Sequence, residues 1–376
     1  MRFCRILLGL GLCVFCIGLR AESDLIEKET KPLVTFGGYI DTYYLYDFNQ
    51  PVPNERIIGT PNNVPGSIAQ VASTANRHNE FNINLAYLDA KLAASDLRGR
   101  LALQAGTSVQ AIYAGEPVSG IASGPSLSQH IQEASLGYRI TDKLWVDAGI
   151  FLSHLGLESF VSKDNWTYTR SLMADFSPYY EAGVKLSYQA SSRLDLQLLV
   201  LNGWQNISDA NSNKAVGAAV SYALNDELSL AYNNFFGEET GSLWRFFNDF
   251  ILKWNPTGLL QIALAFDVGW QKRPLSTGAS SWYGATLVAR YQLSKRLWLA
   301  ARFERYSDSD RVIAQPVSNL SMRANGASMN LDCELRQGLL WRNEVRSLWA
   351  DSAVFAKGTG FSSTDVYLVT SLSFAF

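Results

Sequence analysis

Residues able to do covalent or metal chemistry are sparse in this sequence. Its three histidines, His78, His130 and His154, stand far apart, and no two have the spacing at which a pair of imidazoles shares a metal ion. No Gly-x-Ser-x-Gly frames a serine, and a hydrolytic nucleophile needs an adjacent base, usually histidine. Cys4, Cys13 and Cys16 fall in the apolar N-terminal stretch, which leaves Cys333 by itself. Neither an intrachain disulfide nor a cysteine metal site is then expected. The sequence reads as non-enzymatic, without metal or cofactor. Charged residues follow another rule: they recur at even spacing, as in Arg98/Arg100, Glu181/Lys185, Arg302/Glu304 and Arg342/Glu344/Arg346. Even spacing puts side chains on one face of a β-strand. The chemistry of such a face is electrostatic, the holding of water and ions.

The elements that would carry these faces show most plainly at 365–376. Val366, Leu368, Thr370, Leu372, Phe374 and Phe376 share one face, apolar except for Thr370. The other face holds Asp365, Tyr367, Val369, Ser371, Ser373 and Ala375. No residues follow Phe376 to cover the apolar side. That favours the closing strand of a barrel facing lipid over the edge strand of a soluble sheet. An aromatic terminal residue on such a strand also resembles the signal read by the barrel assembly machinery of bacterial outer membranes, an expected partner through Phe376. Composition agrees. Aromatics are 12% of 376 residues, as interfacial girdles require. The formal net charge of −2 argues against nucleic acid. Beyond the N-terminus no apolar run reaches the roughly 18 residues of a spanning helix.

At the N-terminus Arg2 and Arg5 precede an apolar run at 6–19, and Ala21 offers a cleavage point. We read 1–21 as a secretory signal peptide, 22–33 as a periplasmic lead-in and 34–376 as the barrel. A membrane anchor is the rival reading of a run that is short for one.

Strands are predicted at 34–47, 81–92, 98–113, 130–140, 144–152, 179–189, 194–201, 213–224, 228–236, 243–254, 259–270, 282–293, 297–306, 327–336, 340–349 and 365–376. The alternation slips at 86–88, which suggests a bulge. Short turns alternate with long loops such as 49–78 and 153–176. The fold class is thus all-β: a transmembrane antiparallel β-barrel of about 16 strands, with 14 or 18 still open, short periplasmic turns and long extracellular loops. A Lys or Arg facing lipid near midplane costs about 2–4 kcal/mol, so charges should point inward. The lumen would then hold Arg98, Arg100, Arg139, Lys185, Lys253, Arg290, Arg302, Arg336, Arg342 and Arg346. It would also hold Glu133, Asp147, Glu181, Asp195, Asp249, Asp267, Glu304, Asp332, Glu334 and Glu344. Keeping Glu334 and Arg336 inside together with Arg342, Glu344 and Arg346 calls for a three-residue turn at 337–339. Any one of these charges has a plainer use, pairing across strands to stiffen the wall.

Several segments carry a resemblance. They are Phe36-Gly37-Gly38-Tyr39-Ile40-Asp41, His154-Leu155-Gly156-Leu157-Glu158, Asp164-Asn165-Trp166-Thr167-Tyr168-Thr169-Arg170-Ser171, Pro178-Tyr179-Tyr180-Glu181-Ala182-Gly183-Val184-Lys185 and Leu201-Asn202-Gly203-Trp204. Their succession resembles the outer-membrane β-barrel porins described as outer-membrane-protein-L-like. The resemblance implies a general porin in the outer membrane of a diderm, Gram-negative-type bacterium, with no catalytic residues and no defined substrate. Porins of this size are often homotrimers, and in many of them the third long loop narrows the channel. By that similarity Glu158, Asp164, Arg170 and Asp175 are constriction candidates, although 153–176 fits equally well as a loop lying over the rim. Trp166, Tyr168 and Trp204 read first as interface anchors.

The expectation is a water-filled channel for passive diffusion of small polar solutes and ions, in contact with outer-membrane lipid. The alternative is a closed barrel serving as surface adhesin or structural anchor through long loops such as 49–78. No plug domain is read before the first strand, which disfavours an energised gated transporter.

Overall fold

The computed structural model describes residues 33–58, 72–209, 211, 213–239, 243–274 and 277–376. The segments expected to be a signal peptide and a lead-in, up to residue 32, the cysteines within them and the middle of the first long loop lie outside the described residues.

Strand formation follows the period-two pattern along the chain. The strands are β1 (Leu33–Asp47), β2 (Phe81–Ala93), β3 (Leu97–Ala105), β4 (Ile131–Thr141), β5 (Leu144–Leu152), β6 (Tyr180–Ser191), β7 (Leu194–Leu201), β8 (Ala215–Ala223) and β9 (Leu228–Glu238). They continue as β10 (Trp244–Trp254), β11 (Leu260–Lys272), β12 (Ala279–Ser294), β13 (Leu297–Asp308), β14 (Met322–Arg336), β15 (Leu339–Ala350), the two short strands β16 (Phe355–Lys357) and β17 (Gly360–Ser362), and β18 (Thr364–Ala375). β1 to β15 and β18 form one closed antiparallel barrel of sixteen strands. β18 pairs with both β15 and β1, with Leu372 opposite Thr42. Phe376 exchanges two backbone hydrogen bonds with Gly38, each 3.1 Å. β16 and β17 make a small hairpin inside the last long connection, which no pattern in that stretch announced.

The two faces divide as lipid and lumen demand. Phe36, Phe81, Leu198, Phe303 and Leu368 are exposed on the outside, while Asp41, Glu181, Asp249 and Arg342 are fully buried on the inside. No sheet edge is left unpaired around the circle, the condition for strands to cross a bilayer.

Four expectations are corrected. The strand expected to run to residue 113 stops at Ala105. Gly106 takes φ 138°, where a Cβ would stand 2.4 Å from the Asn84 carbonyl oxygen. Beyond it α1 (Thr107–Tyr113) is helical, burying Val109, Ile112 and Tyr113. Their spacing of three and four suits a helix, although Val109, Ala111 and Tyr113 also alternate as a strand would. The bulge foreseen at 86–88 lies at Asn84, where β1 skips from Leu85 to Ile83. The turn between β14 and β15 is two residues long, Gln337 and Gly338. The extra residue sits instead in a bulge at Leu335, between Glu334 opposite Leu340 and Arg336 opposite Leu339. The bulge keeps Glu334 inside with Arg342 and sends Arg336 to the outer rim, over the Phe374 ring at 5.8 Å. At the rim its long stem lets the charge reach water.

Candidate functional site

The site is the barrel interior, and its shape is set by the connection between β5 and β6. This loop lies inside the barrel against the inner faces of β13, β14, β15, β18 and β1. A chain without regular structure, held inside a barrel, must find partners for its own N–H and C=O groups. The wall supplies them by sign. Carboxylates take the N–H groups: Glu344 accepts from Thr169 at 2.6 Å, Glu304 from Leu172 at 2.6 Å and Asp249 from Gly156 at 2.8 Å. Arginines take the carbonyls: Arg346 donates to Arg170 at 2.7 Å, and Arg342 to Asn165 at 2.9 Å and to Ser162. Arg302 donates to the Thr169 carbonyl and to the Thr167 hydroxyl, and meets Glu158 at 3.2 Å and Glu344 at 3.3 Å. Arg342 in turn is fixed by Asp332 at 2.7 Å, and Arg346 by Glu304 at 2.7 Å. On β1, Asp41 accepts from Asn84 and from Ser162 at 2.8 Å each, and from the Tyr168 hydroxyl at 3.3 Å.

Among the four constriction candidates only Asp164 reaches solvent, beside Lys163 at 2.7 Å. Arg170 and Asp175 are buried. Arg170 lies over the Tyr179 ring at 4.3 Å and donates to Ser73 at 3.1 Å, and Asp175 accepts from the Ser73 backbone at 3.2 Å. Glu158 caps the helical turn Leu172–Asp175 through the Ser171 N–H at 3.0 Å. Burial raises its carboxyl above the ordinary range, against the pull of Arg302 and Ser171. These three charges hold the loop in shape.

The opposite wall is open. Along β2 to β8, at the end with the short turns, the lumen widens into a cavity of about 850 Å³ lined by Lys91, Arg98, Arg100, Asp147, Lys185 and Asp195 among others. A second cavity of about 360 Å³ adjoins it at Asp195 and Ser221 and reaches His154, Gly156 and Lys253. Here charges pair across strands: Arg98 with Asp147, and Arg100 with Asp89 at 2.9 Å and with Glu133. Arg139 meets Asp142 at 3.5 Å near the rim. Arg290 reaches Asp332 at 3.8 Å, Glu334 lies inward near the short-turn rim, and Asp267 is buried opposite Asp249.

His154 and Glu181 join the two regions. The imidazole Nδ1 is 2.9 Å from a Glu181 carboxylate oxygen and Nε2 is 2.8 Å from the Asn234 carbonyl. Both neighbours are acceptors, so both nitrogens must donate, which only the imidazolium does. Burial opposes that charge, yet Glu181 outweighs it and the ring's pKa is raised.

The aromatic expectations are partly overturned. Trp204 is completely buried inside the barrel, edge-on to Phe235 and Phe247 at 5.0 and 4.9 Å, in an apolar cluster with Phe176, Trp282 and Tyr306. Tyr168 is buried against β1, and Trp166 is half-buried. An interfacial ring would face lipid; the Trp204 cluster instead fills the end of the lumen nearest the long loops, and Tyr168 lies deeper, between Asp41 and Arg342. The sequence signal for this cluster is the loss of alternation at the strand ends, as in Leu199-Val200-Leu201, Phe235-Phe236 and Phe246-Phe247. Asp41, Asp89 and Lys91 also escaped the lumen inventory, although their parity placed them in it.

Three comparisons bear on this interior. Residues 33–376 match the family model described as "Putative beta-barrel porin-2, OmpL-like". The comparison with curated proteins gave no match. Among solved structures, the trimer form of in-vitro folded OmpT, an outer membrane protein of Vibrio cholerae, is similar with a TM-score of 0.59 at 9% identity, covering 92% of this chain and 100% of its own. The outer membrane channel DcaP of Acinetobacter baumannii gives 0.58 at 12% identity, covering 94% and 100%. The anion-selective porin from Comamonas acidovorans gives 0.58 at 12% identity, covering 92% and 100%. At such identities the likeness is one of fold.

Proposed function

The chain belongs to the putative beta-barrel porin-2, OmpL-like family, and from that premise we propose that it is an outer-membrane channel for passive diffusion of small polar solutes and ions. The observation that carries this reading is the pair of adjoining cavities along β2 to β8, about 850 and 360 Å³, walled by charged and polar side chains and bounded by an inward-folded loop. Arg98, Arg100, Glu133, Arg139, Asp147, Lys185 and Asp195 are the side chains we assign to the solute path. Glu181 and His154 hold the loop's entry, and Asp164 with Lys163 is its solvent-facing charge. Arg302, Glu304, Asp332, Arg342, Glu344 and Arg346 serve the path indirectly, by fixing the loop that bounds it.

The porin family and fold support a channel without catalysis. The trimer form of the Vibrio protein supports a homotrimer here, which cross-linking in native membranes would test. The pairing of Phe376 with Gly38 at the barrel seam supports a role for that residue in assembly. The rival reading, a closed barrel acting as adhesin or anchor, draws support from the apolar cluster around Trp204 that fills the long-loop end. Single-channel recording of the refolded protein in a planar bilayer separates the two. Discrete, reproducible steps are expected. A folded, heat-modifiable barrel without conductance would move the assignment to the closed barrel.

A further inference from the structure

Charges of both signs line the open wall, but they do not reach water equally. In the ion pairs inside this wall, across strands or along β2, the cation is the more exposed partner; the turn pair Arg139–Asp142 at the rim is the reverse, with side chains 30% and 97% exposed. Arg98 and Asp147 have side chains 40% and 10% exposed, Arg100 and Asp89 21% and 4%, and Lys91 and Asp89 61% and 4%. Glu133, the second partner of Arg100, is likewise the more covered of the two. Asp89, Glu133 and Asp147 sit at the wall, and the guanidinium and ammonium groups of Arg98, Arg100 and Lys91 stand over them.

Two further lysines make no ion pair among the described residues. Lys185 faces Asp147 in register, but that carboxylate is engaged by Arg98. The Lys185 ammonium lies over the Phe151 ring at 4.5 Å instead. Lys253 lies opposite Ser229 and Ala263 and is exposed in the second cavity. Five basic side chains line the first cavity, and Arg193 and Lys253 line the second besides the Glu181-paired His154, against three acids, Asp142, Asp147 and Asp195. Asp142 is held by Arg139 on the turn, and Asp147 is covered by Arg98. Asp195 alone of the three makes no ion pair among the described residues.

A cavity with low-dielectric walls focuses the field of the charges that reach its water, and so raises the local concentration of counter-ions. We infer that this path prefers small anions, such as chloride, inorganic phosphate or a short carboxylate, and that Lys185 and Lys253 set the preference. The inference rests on the channel reading above and deepens it.

Reversal potentials in a KCl gradient test it, because potassium and chloride have nearly equal mobility in water. A chloride-over-potassium permeability ratio of about three or more is expected. Lys185→Gln combined with Lys253→Gln should lower that ratio at least about twofold, and Asp195→Asn should raise it. Both variants alter side chains facing the lumen, and their folding is checked by the heat-modifiable gel shift. Because the second variant predicts the opposite sign, a misfolded first one cannot hide the answer. Conductance with equal or cation-favouring permeability would overturn the inference while leaving the channel reading intact. An anion preference unmoved by either variant would overturn the assignment to these side chains. Absence of any conductance would remove the channel reading itself.

Discussion

The wall formed by β13, β14 and β15 and the wall formed by β2 to β7 carry the same residue types at the same spacing, and they use them for opposite ends. Arg342-Glu344-Arg346 on β15 alternates sign because it faces a peptide backbone, which needs acceptors for its N–H groups and donors for its carbonyls. Arg98 and Arg100 on β3 face water, and their acids lie beneath them on β2, β4 and β5. A charge in the first wall is buried and engaged by the loop; a charge in the second is screened by the lumen. An inward charge therefore does not by itself mark a pore lining, and what covers it decides its role.

The largest effect should come from breaking the covered wall. Arg342→Ala leaves Asp332 buried without its arginine and the Asn165 carbonyl without its donor, a loss on the scale of about 3–5 kcal/mol. The heat-modifiable gel shift should move to clearly lower temperature, and the loop should open to protease. An unchanged transition would contradict the division between the walls. Next in size, Gly284→Val drives a side chain into Met173 of the helical turn, since even a Cβ would stand 2.8 Å from it. Overpacking of this kind costs about 1–3 kcal/mol, and noisier single-channel traces should accompany the lower stability.

A smaller effect is expected at the junction. The folded pKa of His154 is raised above its ordinary 6.5. Its contribution is thus complete below about 6.5 and is lost as pH rises through the raised value. Thermal stability should fall over that window, and His154→Gln should flatten the fall; equal slopes in the two proteins would sink the assignment of the imidazolium. The smallest loss of stability belongs to the open wall. Arg98→Ala breaks a solvent-facing pair, worth about 0–1 kcal/mol. It should alter conductance while scarcely moving the thermal transition, the reverse of Arg342→Ala in relative weight. A large stability loss at Arg98 would erase the contrast.

The sequence by itself determined the barrel, its strand number to within two of the sixteen observed, its short-turn end and the inward or outward side of nearly every strand residue. Parity is a local property: once a strand is recognised, each side chain's face follows from its neighbours two places away, and the cost of a charge in lipid fixes which face is which. The exceptions were local conflicts that parity could not resolve. At β14 two sets of charges demanded an extra residue, which a turn or a bulge could equally provide, and the structure used a bulge at Leu335. At Gly106 an apolar stretch fitted both periods, and the positive φ of the glycine ended the strand.

Only the tertiary structure decided what stands in front of each inward side chain. The Tyr39 and Ser162 hydroxyls meet 2.8 Å apart across 123 positions, and Arg342 reaches the Ser162 carbonyl across 180. No period in the sequence encodes contacts at such separations. They exist because a loop enclosed by the barrel must satisfy its own backbone, and one arc of the wall presents the acids and arginines that do so. The other arc, left uncovered, faces the water of the lumen.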